Sequence, residues 1–129
     1  MINQFWVSGN TPSSKNAKVW TGSHLVNSKA VNIWLKNTKE EWEFQRECFV
    51  DAISELPYPL YIEFTFYRKS KHIFDYHNIS QIVTDVMKEY KWLPDDNADI
   101  IKPYYGDYKY DKEKPGVLIK ILKEKPKHY

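Results

Sequence analysis

Between Ile79 and Tyr90 the apolar residues fall at Ile79, Ile82, Val83, Val86, Met87 and Tyr90, a continuous match to the 3.6-residue period. This spacing predicts an amphipathic helix from about Asn78 to Tyr90. Leu60 to Tyr67 has another rhythm, with bulky, β-prone residues following one another without a breaker, so a strand central to a sheet is expected there. A further helix is predicted to begin at Thr38, because Thr38-Lys39-Glu40-Glu41 carries the Thr and Glu of a capping box, and to end near Leu56, before Pro57. Its buried face would hold Trp42, Phe49, Ala52 and Ile53, with Lys39, Glu40, Glu43 and Glu47 turned to water. Upstream, Val31, Trp34 and Leu35 also have helical spacing behind Ser28 as an N-cap. The pattern leaves open whether the segments starting at 28 and 38 are one helix or two.

The remaining elements are short. Gln4 to Ser8 reads as a strand ending at the turn pair Gly9-Asn10, Thr11 to Lys18 as a loop, and Val19 to Val26 as room for a second strand. Pro94 forces Leu93 toward extended geometry, Ile100-Ile101 suggest another strand, and Val117 to Leu122 the last. Between these two, Tyr104 to Gly116 resembles a tyrosine-rich hairpin or excursion. No internal repeat is present. The order of elements fits an α+β fold, a mixed β-sheet with two main helices packed on one face. A chain of 129 residues has the size of one domain, residues 1–129.

Composition narrows the classes. Five Trp, ten Tyr and six Phe argue for a packed core and against a disordered tail. A net charge of +2 is too small to diagnose a nucleic-acid partner, and what electrostatic signal there is lies in the clusters at residues 68–72 and 120–127. The lysines of the second cluster, Lys120, Lys123, Lys125 and Lys127, read as a solvated edge. Cys48 has no second cysteine to pair with, which suits a reducing compartment. No apolar run has the length of a membrane span, and Met1-Ile2-Asn3-Gln4 lacks the features of a signal peptide. A cytoplasmic protein with no membrane partner is expected.

The candidate chemistry lies around the 78–90 helix. Asp75 and His77 are two apart, so on extended chain both side chains leave one face, and Asp95-Asp96 follow after Trp92-Leu93-Pro94. The helix carries the chain away by roughly 18 Å, and an extended return from Lys91 to Asp96 covers about 17 Å. Asp96 is therefore expected beside Asp75, with Asp95 on the opposite side of the returning strand. Asp75, His77, Asp95 and Asp96 form a candidate metal set of the kind that suits Mg²⁺ or Mn²⁺, which activate water and neutralise charge on a phosphodiester. Just upstream, Arg68, Lys69, Lys71 and His72 are placed to hold phosphates, and the tyrosines at 104–110 to stack on bases or to cover a sheet edge.

These residues resemble the RusA family of Holliday-junction resolvases. Its pattern runs from a basic stretch into Asp-x-Asp-Asn-Leu, through a helix carrying a Lys and an Asp, to a Trp-Leu-Asp-Asp-like return. The matching residues are Asp75, Asn78, Ile79, Asp85, Trp92, Asp95 and Asp96. A weaker likeness covers Thr11-Pro12-Ser13-Ser14-Lys15-Asn16 and His24-Leu25-Val26-Asn27-Ser28. The resemblance implies a RusA-like fold and a homodimer that cuts branched DNA during recombination and repair. It implies Asp75 and Asp96 as catalytic metal ligands, with Lys15, Arg68, Lys69 and Lys71 on the nucleic acid. The chain departs from the pattern twice. His77 stands for the family's second Asp, which removes one negative charge, weakens Mg²⁺ and shifts preference toward Mn²⁺ or a later transition metal, and Gln81 stands for its helix Lys, which removes a fixed positive charge. Two other readings follow: a non-catalytic relative that binds branched or single-stranded nucleic acid, and a small phage interaction protein with no nucleic-acid role.

Overall fold

The computed structural model describes residues 2–13, 18–20 and 25–127. Its elements are β1 (Gln4–Ser8), β2 (Lys18–Trp20), β3 (Leu25–Asn27), α1 (Lys29–Ile53), β4 (Leu60–Arg68), α2 (Tyr76–Glu89), β5 (Ile101–Tyr105), β6 (Lys109–Tyr110) and β7 (Gly116–Leu122). The main sheet has the order β1-β7-β4-β5, with β6 pairing farther along β4, while β2 and β3 pair antiparallel with each other in a separate two-stranded sheet. β7 runs antiparallel to β1 and β4, whereas β5 and β6 run parallel to β4. The sheet is thus mixed, with β4 inside it, as the run from Leu60 to Tyr67 predicts.

Alternation along β4 explains the layering. Leu60, Ile62, Phe64 and Phe66 are buried and their neighbours only partly covered, so one face of the sheet carries the core. Both helices cover that face: Val31, Trp34, Trp42, Phe49, Ala52 and Ile53 of α1 join Ile79, Ile82, Val83, Val86 and Met87 of α2 in one apolar cluster with the strands. The fold is α+β, with two helices on one face of a mixed sheet. Among the described residues no helix is long and apolar enough to cross a membrane.

The segments at 28 and 38 are one helix of 25 residues, capped by Ser28, whose Oγ accepts from the Val31 N–H at 3.3 Å. Thr38 does not cap. It is buried in mid-helix, where its hydroxyl donates to the Trp34 carbonyl at 2.8 Å and accepts from Trp42 Nε1 at 3.0 Å. The apolar stripe running from Val31 through Trp42 outweighs a local capping preference worth only about 1 kcal/mol. Farther along, Glu41 and Gln45 finish the free side of β1: Glu41 accepts from the Ser8 N–H at 2.9 Å, and Gln45 donates to the Trp6 carbonyl at 3.0 Å. Backbone groups that a sheet edge would leave open are thereby satisfied from the helix.

α2 joins the two ends of the sheet. β4 and β5 are parallel and α2 connects them, so the start of α2 lies at their C-terminal ends, where Tyr76 stacks on Tyr105 with ring centroids 4.9 Å apart. The end of α2 and the following loop lie at the opposite end, where the Leu60 N–H donates to the Ile100 carbonyl at 2.7 Å.

Candidate nucleic-acid interface

β4 delivers Arg68 to the C-terminal end of the sheet. Its Nη1 donates to the Thr11 carbonyl at 2.7 Å, and its guanidinium lies 4.8 Å above the Phe74 ring. Partial burial lowers its pKa from the ordinary arginine value. The next residue holds the same loop, since the Lys69 N–H donates to Asn10 Oδ1 at 3.0 Å while the residue itself is exposed. Lys71 and His72 are exposed as well, and the Lys71 ammonium sits 5.3 Å from the Tyr110 ring.

Behind these cations stands an aromatic platform. Phe74 meets Tyr76 and Tyr108 edge to face, at 5.4 and 4.9 Å. The Tyr76 hydroxyl donates to the Gly106 carbonyl at 3.3 Å and accepts from the Tyr108 N–H at 3.1 Å, which fixes the chain between β5 and β6. The Tyr105 and Ser80 hydroxyls share a bond of 2.7 Å. In front of the platform a cleft of about 580 Å³ is lined by Ser13, Arg68, Ile73, Phe74, Asp75, Tyr76 and Asn78. Crevices at the carboxyl ends of parallel strands are recurrent ligand sites.

Asp75 is the N-cap of α2, in extended conformation, and its carboxylate accepts from the His77 N–H at 3.3 Å. The helix therefore starts at Tyr76, two residues before the expected Asn78. This changes the geometry at His77. Instead of sharing an extended face with Asp75, it lies in the first helical turn, where each residue turns about 100° from the last.

The return from the helix also differs from the expectation. Lys91 has φ of 66°, the left-handed conformation, and the chain reverses there. The Trp92 N–H donates to the Met87 carbonyl at 2.8 Å and the Lys91 N–H to the Lys88 carbonyl at 3.0 Å, the paired bonds of a Schellman cap. Trp92 is then locked into the core, with Nε1 donating to the Trp42 carbonyl at 2.8 Å. As a result Asp95 and Asp96 stay at the C-terminal end of α2. Asp95 lies 3.3 Å from the Lys88 ammonium and also accepts from the Asp96 N–H at 2.8 Å and from Asn97 at 3.2 Å. The Asp96 N–H first, and Lys88 second, hold the Asp95 carboxyl below its usual range, and Asp95 raises the pKa of Lys88.

Asp75 and the Asp95-Asp96 pair thus occupy opposite ends of a helix about 21 Å long. Among the described residues no three His, Cys, Asp or Glu side chains are grouped to hold a metal ion. Of the residues expected to hold Mg²⁺ or Mn²⁺, Asp75 and His77 stand at the start of α2 and Asp95 and Asp96 beyond its end. The structure brings Asp75 and Arg68 to one cleft, whereas Lys69 lines a neighbouring pocket, Lys71 is exposed beside Tyr110, and Lys15 lies outside the described residues. Phe74, Tyr76 and Ser13 enter the site without any periodic or spacing signal in the sequence. Compared with known proteins, the chain matches no family model, and no curated sequence matches it.

Proposed function

We propose that this protein is a RusA-like DNA-binding protein that engages branched or single-stranded DNA through the cleft at the C-terminal ends of β4 and β5. The observation that carries this reading is the meeting of Arg68 with a fixed aromatic platform at one open cleft, with the exposed Lys69 and Lys71 on the chain just beyond Arg68. Cations spaced along a loop suit phosphates, and aromatic rings beside them suit bases that are not paired. Such a role belongs in the cytoplasm, and four-way junctions are the branched substrate that the RusA resemblance favours.

Metal-dependent cutting of Holliday junctions is the second reading, supported by the match of Asp75, Asn78, Trp92, Asp95 and Asp96 to the RusA pattern. Because these carboxylates sit at the two ends of α2, this reading calls for a C2 homodimer in which two α2 helices pair antiparallel, each Asp75 meeting the partner copy's acidic pair. A synthetic four-way junction with Mg²⁺ or Mn²⁺ separates the two. Salt-sensitive binding without nicking supports binding alone. Nicking that Asp75→Asn abolishes while binding persists supports the nuclease. No affinity at low salt contradicts both and favours an interaction protein with no nucleic-acid role.

A further inference from the structure

Three large apolar or aromatic side chains at the cleft end of the sheet are turned to solvent: Ile73 is wholly exposed, and Tyr108 and Tyr110 are about half exposed (47% and 50%). Ile73 stands out because its surroundings are held in place. The neighbouring Phe74 is pinned by the Arg68 guanidinium, Tyr76 and Tyr108, and the His72 N–H donates to Ser70 Oγ at 3.4 Å. A β-branched residue on such a support loses little freedom when it meets a partner. In sequence it follows the exposed Lys69, Lys71 and His72, and the Arg68 guanidinium lies over the ring of the next residue, Phe74. Asp75 is the carboxylate bordering the same cleft.

We infer that Ile73 is a wedge that inserts at the branch point of DNA and holds a base step open, with Tyr108 and Tyr110 receiving the unpaired bases. The inference rests on the DNA-binding reading and adds to it the structural feature recognised. Apolar wedges between base steps part the stack, and the cost is least where stacking is already broken, as at a branch. Cations around the wedge supply the attraction to the two flanking backbones, and exposed tyrosines offer faces that any base can stack on. The charge around Ile73 suits a polyanion and disfavours a purely apolar protein groove.

The test uses the full chain and two probes, a four-way junction and a linear duplex of the same arm sequence, each with 2-aminopurine at the position that adjoins the branch. Wild-type protein should raise the fluorescence of the junction probe and bind it more tightly than duplex. Ile73→Ser should remove the rise and lower junction affinity by about tenfold, the effect of no longer burying one apolar side chain in the opened step, while leaving duplex affinity and its salt dependence unchanged. Ile73→Phe should restore both. Junction binding and fluorescence in Ile73→Ser equal to wild type would overturn the wedge and leave the binding reading standing. A change in Ile73→Ser confined to the oligomeric state would also overturn it and assign Ile73 to contact with a second copy. No salt-sensitive binding of either probe by the wild type overturns the wedge together with the reading it rests on.

Discussion

Replacing Lys91 by glycine tests whether α2 reverses where the structure has it reverse. At φ of 66° a residue with a Cβ is strained by roughly 1–2 kcal/mol, which glycine relieves. Glycine loses more freedom on folding, which takes back roughly 0.5–1 kcal/mol. The Lys91 side chain is exposed, and the group the cap uses is its N–H, which glycine keeps. The balance is a stabilisation of about 0.5–1 kcal/mol, or about 2–4 °C in Tm for a chain of this length. A thermal melt followed by circular dichroism reads the sign directly. On an extended return, the geometry that would carry Asp96 back toward Asp75, glycine offers no relief and lowers Tm by a similar amount. A fall in Tm would refute the reversal and reopen the single-chain metal site.

Thr38→Val should destabilise the protein by about 1–3 kcal/mol in a urea melt, because it leaves the buried Trp42 Nε1–H without an acceptor; Thr38→Ser, which keeps both bonds, should cost less. Asp75→Ala should cost about 1 kcal/mol through loss of the α2 cap, whereas Asp75→Asn should fall within a few tenths of wild type. Asp95→Asn should weaken the protein near neutral pH and lose that effect in acid. The folded-state pKa of Asp95 is depressed, so its contribution is present above the unfolded value near 3.8 and disappears as pH falls through the lower folded value. Paired melts of wild type and variant from neutral pH down to pH 2 check the direction.

What could be read from the chain was what periodicity encodes. The apolar spacing of α2, the alternation of β4 and the buried face Trp42, Phe49, Ala52 and Ile53 all follow from repeating patterns that burial enforces over many residues. What could not be read hangs on single residues. Thr38 has the look of a cap, but the same hydroxyl bonds equally well back to the preceding turn, and only the packing of Trp34 and Trp42 decides between them. Asp75 caps α2 one residue ahead of Tyr76, and this earlier start puts His77 inside the helix. Lys91 in a left-handed conformation carries no signal, since glycine or asparagine ordinarily marks that place. That one dihedral keeps Asp95 and Asp96 away from Asp75. The aromatic platform was hidden for another reason: Tyr76, Tyr105 and Tyr108 meet through the pairing of β5 and β6 with β4, a register that no local pattern announces.

The central claim is that the cleft end of β4 binds DNA through its cations, and the salt dependence of junction affinity tests it most directly. Each phosphate contact contributes about 0.7–0.9 to the slope of log affinity against log salt. Lys69→Ala combined with Lys71→Ala should therefore flatten the slope by about 1.4–1.8 while the thermal melt stays unchanged, since both residues are exposed. A slope equal to that of the wild type, or a wild type with no affinity at low salt, would contradict the account.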